Sequence, residues 1–326
     1  MLQQTRVETV IPYYHRFLEN FPTVHHLAQA SRQQVLKQWE GLGYYSRVRN
    51  MQDAAIAVSE KLDGNLPGAY SDIIKLKGIG PYTASAILSI AFQKPHAVVD
   101  GNVIRVFSRY FGINEDIRKQ STKNEISGLA QSLIPDDRPG DFNQAVMELG
   151  ATICTPQNPE CSECPLSHGC FAYKKAMTDD IPYKSPKKKI PHHTICVGIL
   201  LNGNNELLIA LRPENVMLGG LWEFPGGKKK SNETHEEAVI RELKEELGIE
   251  AGILNKFMEV KHAYSHFRIT LHAYLCRIEN GTPEPRTSQK LKWIGIDEID
   301  DYPFPKANKV LVEKLKKEFS KDSQNH

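Results

Sequence analysis

The spacing of apolar positions changes character once along the chain. Up to about residue 172, apolar residues return every three or four positions in TVIPYYHRFLENF, SRQQVLKQWEGL, SDIIKLKGIG, PYTASAILSIAF and NQAVMELGATI. That period lines one face of a helix, and Gly, Pro and Asn punctuate the gaps between runs. Residues 1–172 are therefore expected to form an all-α domain. Residues 173–191 lose the period and gather Lys and Pro, which predicts an exposed linker. From His192 the pattern becomes β-rich: TICVGILL and ELLIALR flank the turn residues Asn202 to Asn205, and further strand-like runs fall around 255–276. Between them lies one strongly helical stretch, about 233–247. The expectation for residues 192–320 is an α/β (α+β) domain, with 321–326 as a tail and no internal repeat in the chain.

Composition adds little to that picture. At 326 residues, with 40% hydrophobic and 25% charged residues, the chain can fill two cores of ordinary globular kind. Net charge is +2, split as +3 in residues 1–190 and −1 in the rest. Bulk charge does not announce a nucleic-acid binder, so any such attraction must come from local features such as Arg47, Arg49, Lys75, Lys77 and Arg105, or from helix ends. The first residues, MLQQTRVETVIPYY, lack the plan of a secretory signal, and apolar runs such as 84–92 are too short to span a bilayer. A cytoplasmic protein without membrane partners is expected.

Cysteine placement is more informative. Cys154, Cys161, Cys164 and Cys170 form C-x6-C-x2-C-x5-C, a compact set of thiolate donors that one loop can wrap around a metal centre. Spacing alone leaves a structural zinc and an iron–sulfur cluster both open. Cys196 and Cys276 stand alone in strand-like runs and read as buried thiols. Upstream, Leu76-Lys77-Gly78-Ile79-Gly80 precedes Pro81 and an Ala- and Ile-rich helix. Two glycines let the backbone come close to a partner, and amides at a helix start can hold a phosphate, although a simple packing bend explains G-x-G equally well. Asp100 by itself reads as a turn residue or helix cap.

Taken together these segments resemble the helix-hairpin-helix DNA glycosylases of the endonuclease III and MutY superfamily, and the resemblance spans essentially the whole chain. It implies that the cysteine loop holds a [4Fe-4S] cluster. It implies that Gly78 and Gly80 belong to the DNA-binding hairpin, followed at the family's distance by Val99-Asp100-Gly101-Asn102-Val103, with Asn102 among the DNA contacts. Asp100 would be catalytic, stabilising the cationic sugar left when a base departs. Tyr82 stands where lyase-competent relatives carry a Schiff-base lysine, which implies a monofunctional glycosylase. MLQQTRVETVIPYY and WEGLGYYSRVRN are similar to MutY segments in which Gln4 and Tyr44 would sit beside the lesion. The implied activity is hydrolysis of the N-glycosidic bond of adenine mispaired with 8-oxoguanine or guanine in double-stranded DNA, by a monomer associated with the nucleoid.

The later half carries G-x5-E-x7-R-E-L-x-E-E-L-G-I from Gly227 to Ile249, a complete Nudix signature. Helical steps of three and four put Glu242, Glu245 and Glu246 on one face, where carboxylate oxygens can collect Mg2+. MutY proteins carry such a domain to read 8-oxoguanine, and His262-Ala263-Tyr264-Ser265-His266 resembles their lesion-reading loop, with Ser265 and His266 as hydrogen-bonding groups. A nucleotide pyrophosphohydrolase and a noncatalytic lesion binder are the alternatives. The resemblance also places the family's general-acid glutamate two positions before Met1. Glu8, nine positions further along one continuous helix, would face the opposite way. The expectation is that the chain as given releases little adenine.

Overall fold

The computed structural model describes residues 1–2, 5, 7–186, 190–264 and 266–322. Helices come first: α1 (Val7–Asn20), α2 (Val24–Gln29), α3 (Arg32–Trp39), α4 (Ser46–Lys61), α5 (Tyr70–Ile73), α6 (Pro81–Ile90), α7 (Gly101–Phe111), α8 (Gln120–Leu133), α9 (Pro139–Thr152) and α10 (Phe171–Lys174). Strands follow: β1 (His192–Leu200), β2 (Leu207–Leu211), β3 (Trp222–Glu223), β4 (Gly226–Lys228), then α11 (His235–Leu247), β5 (Glu250–Ala263), β6 (Arg268–Asn280), β7 (Lys290–Ile294) and α12 (Lys306–Asp322). Local start signals fix several of these helices. Ser31 and Thr234 each close a capping box, with Gln34 and Glu237 respectively, and Pro81 opens α6. No helix among the described residues is long and apolar enough to cross a membrane.

The compact units do not follow the change of periodicity. Met1–Ser59 and Lys189–His326 form one, and Glu60–Lys188 forms the other. The physical reason lies in the first core, where Phe17, Val35, Leu36, Trp39 and Val48 enclose Leu221 from the far end of the chain. Gly220 makes this approach possible. Its φ is +77°, and a Cβ there would lie 3.0 Å from Leu36 Cδ1. Polar contacts seal the same seam. Gln33 Nε2 donates to the Gly220 carbonyl (3.1 Å) and its Oε1 accepts from Trp222 Nε1 (3.1 Å), while Arg49 donates to the Gly219 carbonyl. Glu40, almost fully buried, accepts from the Phe304 amide (2.9 Å), Lys309 Nζ (2.9 Å) and Lys37 Nζ (3.0 Å).

The strands of this unit make two sheets, ordered β4-β1-β6-β5 and β3-β2-β7. β1 and β6 run parallel with Cys196 opposite His272, and the remaining pairs are antiparallel. One core gathers Ile199, Ile209, Phe224 and Leu271 with Leu311 and Leu315 of α12; the other gathers Leu200, Tyr274, Cys196 and Cys276 with Val239, Leu243 and Leu247 of α11. Cys196 and Cys276 are buried as expected, and burial pushes their thiols up to about 11 and about 12.

In the second unit α9 packs against α6 and α7. Val103, Val106, Phe107, Ile126 and Ala130 form one core there, and Ile73, Ala84 and Leu88 another. Most of residues 173–186 are exposed, yet the stretch is tied to the second unit at a few points. Ile181 is buried, the Thr178 and Ile181 carbonyls accept from Arg109, and the Ile117 amide donates to the Tyr183 carbonyl (3.2 Å). The buried guanidinium supplies donors that a linker carbonyl would otherwise seek from water.

Candidate active site and metal centre

Asp100 sits where an extended segment meets α7 and is that helix's N-cap. Its Oδ1 accepts from the amides of Asn102 (2.8 Å) and Val103 (2.7 Å), and its Oδ2 accepts from Asn102 Nδ2 (3.1 Å). Capping and catalysis are compatible roles, since three donors fix a half-buried carboxylate in one orientation at the positive end of the helix. Tyr82, the second residue of α6, is 38% exposed, and burial together with the charge of Asp100 raises its phenol above the usual range. It stays protonated at neutral pH. Gly78 adopts φ +80°, the left-handed conformation for which glycine is suited. Gly80 does not need its freedom, since its φ is −91° and nothing lies within 4 Å of a Cβ there.

Asn102 and Arg105 bond to each other and to neighbouring parts of the fold. The Asn102 side chain is spent between Asp100 and Arg105, whose Nη2 donates to Asn102 Oδ1 (2.9 Å). Arg105 itself is buried and also donates to the Cys154 carbonyl (2.6 Å) and the Gly150 carbonyl (2.5 Å). A buried guanidinium needs all its donors satisfied, and these acceptors leave Arg105 committed within the fold. Lys75 is exposed and paired with Asp72. Arg47 and Arg49 are tied to the carbonyls of Met1 and Gly219.

The four loop cysteines are free and half-buried, and they line one pocket together with Arg109 and Tyr173. Cys154 follows directly on α9, and Cys170 caps α10. Burial, then the neighbouring thiols, raises the Cys161 thiol, so crowding four thiolates here is costly without a compensating cation. Arg109 supplies part of it, with Nη1 3.4 Å from Cys154 Sγ and further bonds to the carbonyls of Thr155 (2.7 Å) and Pro156 (3.3 Å). Among the described residues no three such side chains converge on a point fit for a single ion. Four thiols lining one pocket are a donor set that fits an iron–sulfur centre.

In the other unit, Tyr44 is exposed at a turn with φ +47°, between the left-handed Gly43 and α4. Trp39 Nε1 donates to the Gly43 carbonyl (3.0 Å), and the Arg47 guanidinium lies 5.5 Å from the Tyr44 ring and 5.3 Å from that of Trp39. Those contacts offset the strain of a tyrosine in that region, about 1 kcal/mol. Gln4 and Ser265 lie outside the described residues. His266 is exposed in the turn between β5 and β6, which the Tyr264 amide closes on the Phe267 carbonyl (2.8 Å) while their rings stack at 4.7 Å. Glu8 is exposed at the start of α1.

The Nudix helix folds as its spacing implies, but its carboxylates already have partners. Arg241 holds Glu233 through two bonds (2.7 and 2.8 Å), Glu242 (2.8 Å) and Glu245 (3.0 Å). Glu246 accepts from the Gly226 amide (3.0 Å) and Thr287 Oγ1 (3.2 Å), and burial raises its carboxyl. Glu233 is held down to about 2 by its hydrogen bonds from Arg241 and from the Lys230 amide. Oxygen donors of this kind fit a hard cation, which would have to compete with the Arg241 guanidinium for Glu242 and Glu245.

A helical hairpin leading into a fixed aspartate, a four-cysteine loop behind it and a Nudix fold in the same chain are the parts of a base-excision-repair helix-hairpin-helix protein with an appended Nudix domain. Residues 1–132 match the HhH-GPD superfamily of base excision DNA repair proteins, 154–170 the iron–sulfur binding domain of endonuclease III, and 196–314 the NUDIX domain. The adenine DNA glycosylase of Homo sapiens is 35% identical over 92% of this chain and 63% of its own length; that of Mus musculus is 35% identical over 92% and 67%. The adenine DNA glycosylase of Buchnera aphidicola from Acyrthosiphon pisum is 32% identical over 97% of this chain and 88% of its own. The chain belongs to the adenine DNA glycosylase family. It spans about two thirds of the length of its mammalian relatives.

Proposed function

We propose that this protein hydrolyses the N-glycosidic bond of adenine mispaired with 8-oxoguanine or guanine in double-stranded DNA, and that it acts as a monomer at the nucleoid. The observation that carries the reading is the half-buried carboxylate of Asp100, held in one orientation by three donors, with its charge felt by the phenol of Tyr82. As an adenine leaves, positive charge develops on the sugar. A carboxylate whose position is fixed before the reaction stabilises that charge without reorganising. A phenol cannot form a Schiff base, so water completes the displacement and the strand stays intact. The cysteine loop would hold a [4Fe-4S] cluster, which supplies no redox step to a hydrolysis and serves to order the loop. Tyr44 and Gln4 would wedge beside the lesion, with Ser265 and His266 reading the oxidised base and the turn at Gly78 and Gly80 meeting phosphate.

Single-turnover release of adenine from an 8-oxoguanine:adenine duplex tests this in a chain given the family's general-acid segment ahead of Met1, with Asp100→Asn in the same chain as the control. Abasic product lost in the variant supports the reading, and equal rates overturn it. Tight duplex binding without product from the extended chain would leave a lesion binder. A second reading, Mg2+-dependent cleavage of a nucleoside triphosphate at Glu242, Glu245 and Glu246, is favoured by the complete signature and opposed by the Arg241 clamp. Pyrophosphate release abolished by Glu245→Gln would establish it.

A further inference from the structure

Residues 95–98 run into Asp100 without joining any sheet, so their peptide groups need partners from elsewhere. Two side-chain amides supply them. Asn143, buried in α9, accepts from the Val98 amide at Oδ1 (2.9 Å), and its Nδ2 donates to the His96 carbonyl (2.9 Å) and to Ser89 Oγ (2.8 Å). Gln131 of α8 takes the alternate groups: its Oε1 accepts from the Ala97 amide (3.0 Å) and its Nε2 donates to the Pro95 carbonyl (2.7 Å). Four successive residues are thus held by two amides standing in for neighbouring strands.

The inner clamp reaches further than the outer one. Ser89 belongs to α6, the helix that begins with Tyr82, and only Val99 separates Val98 from Asp100. Asn143 therefore joins the helix of the phenol to the approach of the carboxylate. α9 is shaped for this. A Cβ on Gly140 would lie 2.8 Å from the Ser89 carbonyl oxygen, and one on Gly150 would lie 2.6 Å from the Asn102 Cβ. An apolar side chain at 143 would orphan a buried amide and carbonyl, and a carboxylate would lose both donors while burying charge.

We infer that Asn143 is a positioning residue for Asp100, setting its carboxylate against the cationic sugar of the reaction, with Gln131 as the outer half of the clamp. This rests on the role proposed for Asp100. The test is binding of the full chain to duplexes carrying either a cationic pyrrolidine or a neutral tetrahydrofuran in place of the adenosine sugar. The unaltered chain is expected to prefer the cationic duplex, and Asp100→Asn to lose that preference. Asn143→Ala is expected to lower the preference about tenfold while tetrahydrofuran binding stays within about twofold, because a misplaced charge loses its advantage. Gln131→Ala, at an exposed site, should fold in any case and lower it about threefold, a smaller loss than the inner clamp. Equal weakening toward both duplexes, or an unchanged preference in Gln131→Ala, overturns the assignment. A preference that survives Asp100→Asn overturns the Asp100 reading and the clamp's purpose with it.

Discussion

Replacing Glu40 tests whether residues 1–59 and 189–326 unfold as one body. Its side chain is 5% exposed and offers one oxygen to the buried Phe304 amide and the other to Lys37 and Lys309. The lysines are 30% and 39% exposed, so in Glu40→Ala they can turn to water and lose about 1 kcal/mol between them. The Phe304 amide cannot, and an orphaned buried donor costs about 1–3 kcal/mol. Glu40→Ala should therefore lose about 3 kcal/mol. Glu40→Gln keeps the amide's acceptor and should lose about 1 kcal/mol. Trp39, Trp222 and Trp293 all belong to this unit, so tryptophan fluorescence during equilibrium urea unfolding of the full chain reports it specifically. The reasoning fails if Glu40→Gln costs as much as Glu40→Ala, or if Glu40→Ala costs under about 0.5 kcal/mol.

Other expectations follow from single contacts. Arg109→Lys keeps a charge but cannot reach the carbonyls of Thr155, Pro156, Thr178 and Ile181 together, so the variant should purify with less than about half the visible absorbance of the iron–sulfur centre; full colour would contradict the tie. Glu233 has its carboxyl lowered from 4.5 to about 2, so its ion pair with Arg241 contributes stability fully present above about pH 5 and lost as the pH falls through 2. Denaturation midpoints of Glu233→Gln should fall below those of the unaltered chain at pH 6 and meet them near pH 2; a gap that widens in acid would count against the pair. Gly150→Ala gains about 1 kcal/mol of helix propensity but forces a methyl into Asn102, costing about 1–3 kcal/mol. Its thermal midpoint should drop, and a rise would mean that Asn102 yields freely.

Periodicity revealed most helices and strands because their buried faces repeat: α6, α9, α11, β1 and β2 lie where the apolar spacing puts them. Spacing marked the four cysteines as one set, and only the family resemblance pointed to Asp100 and Tyr82. Neither could find the polar side chains that organise them. Asn143 and Gln131 carry no motif of their own, and only the path of residues 95–98 gives them a task. Asn102 and Arg105 look like DNA-facing groups, since a sequence cannot tell whether a donor meets phosphate or an internal carbonyl. The unit boundary was hidden for the same reason. Leu221 is simply one more apolar residue until it appears among Leu36 and Trp39.

A unit assembled from both ends of a chain imposes an order on its own making. Glu60–Lys188 has every partner in hand once that stretch has left the ribosome, whereas Glu40 must wait some 260 residues for Phe304 and Lys309. Contacts so distant in sequence form slowly. Until they do, the nascent chain carries a finished helical insert flanked by an opening segment whose apolar faces, around Leu36 and Trp39, are still bare. That interval is when a chaperone has most to hold.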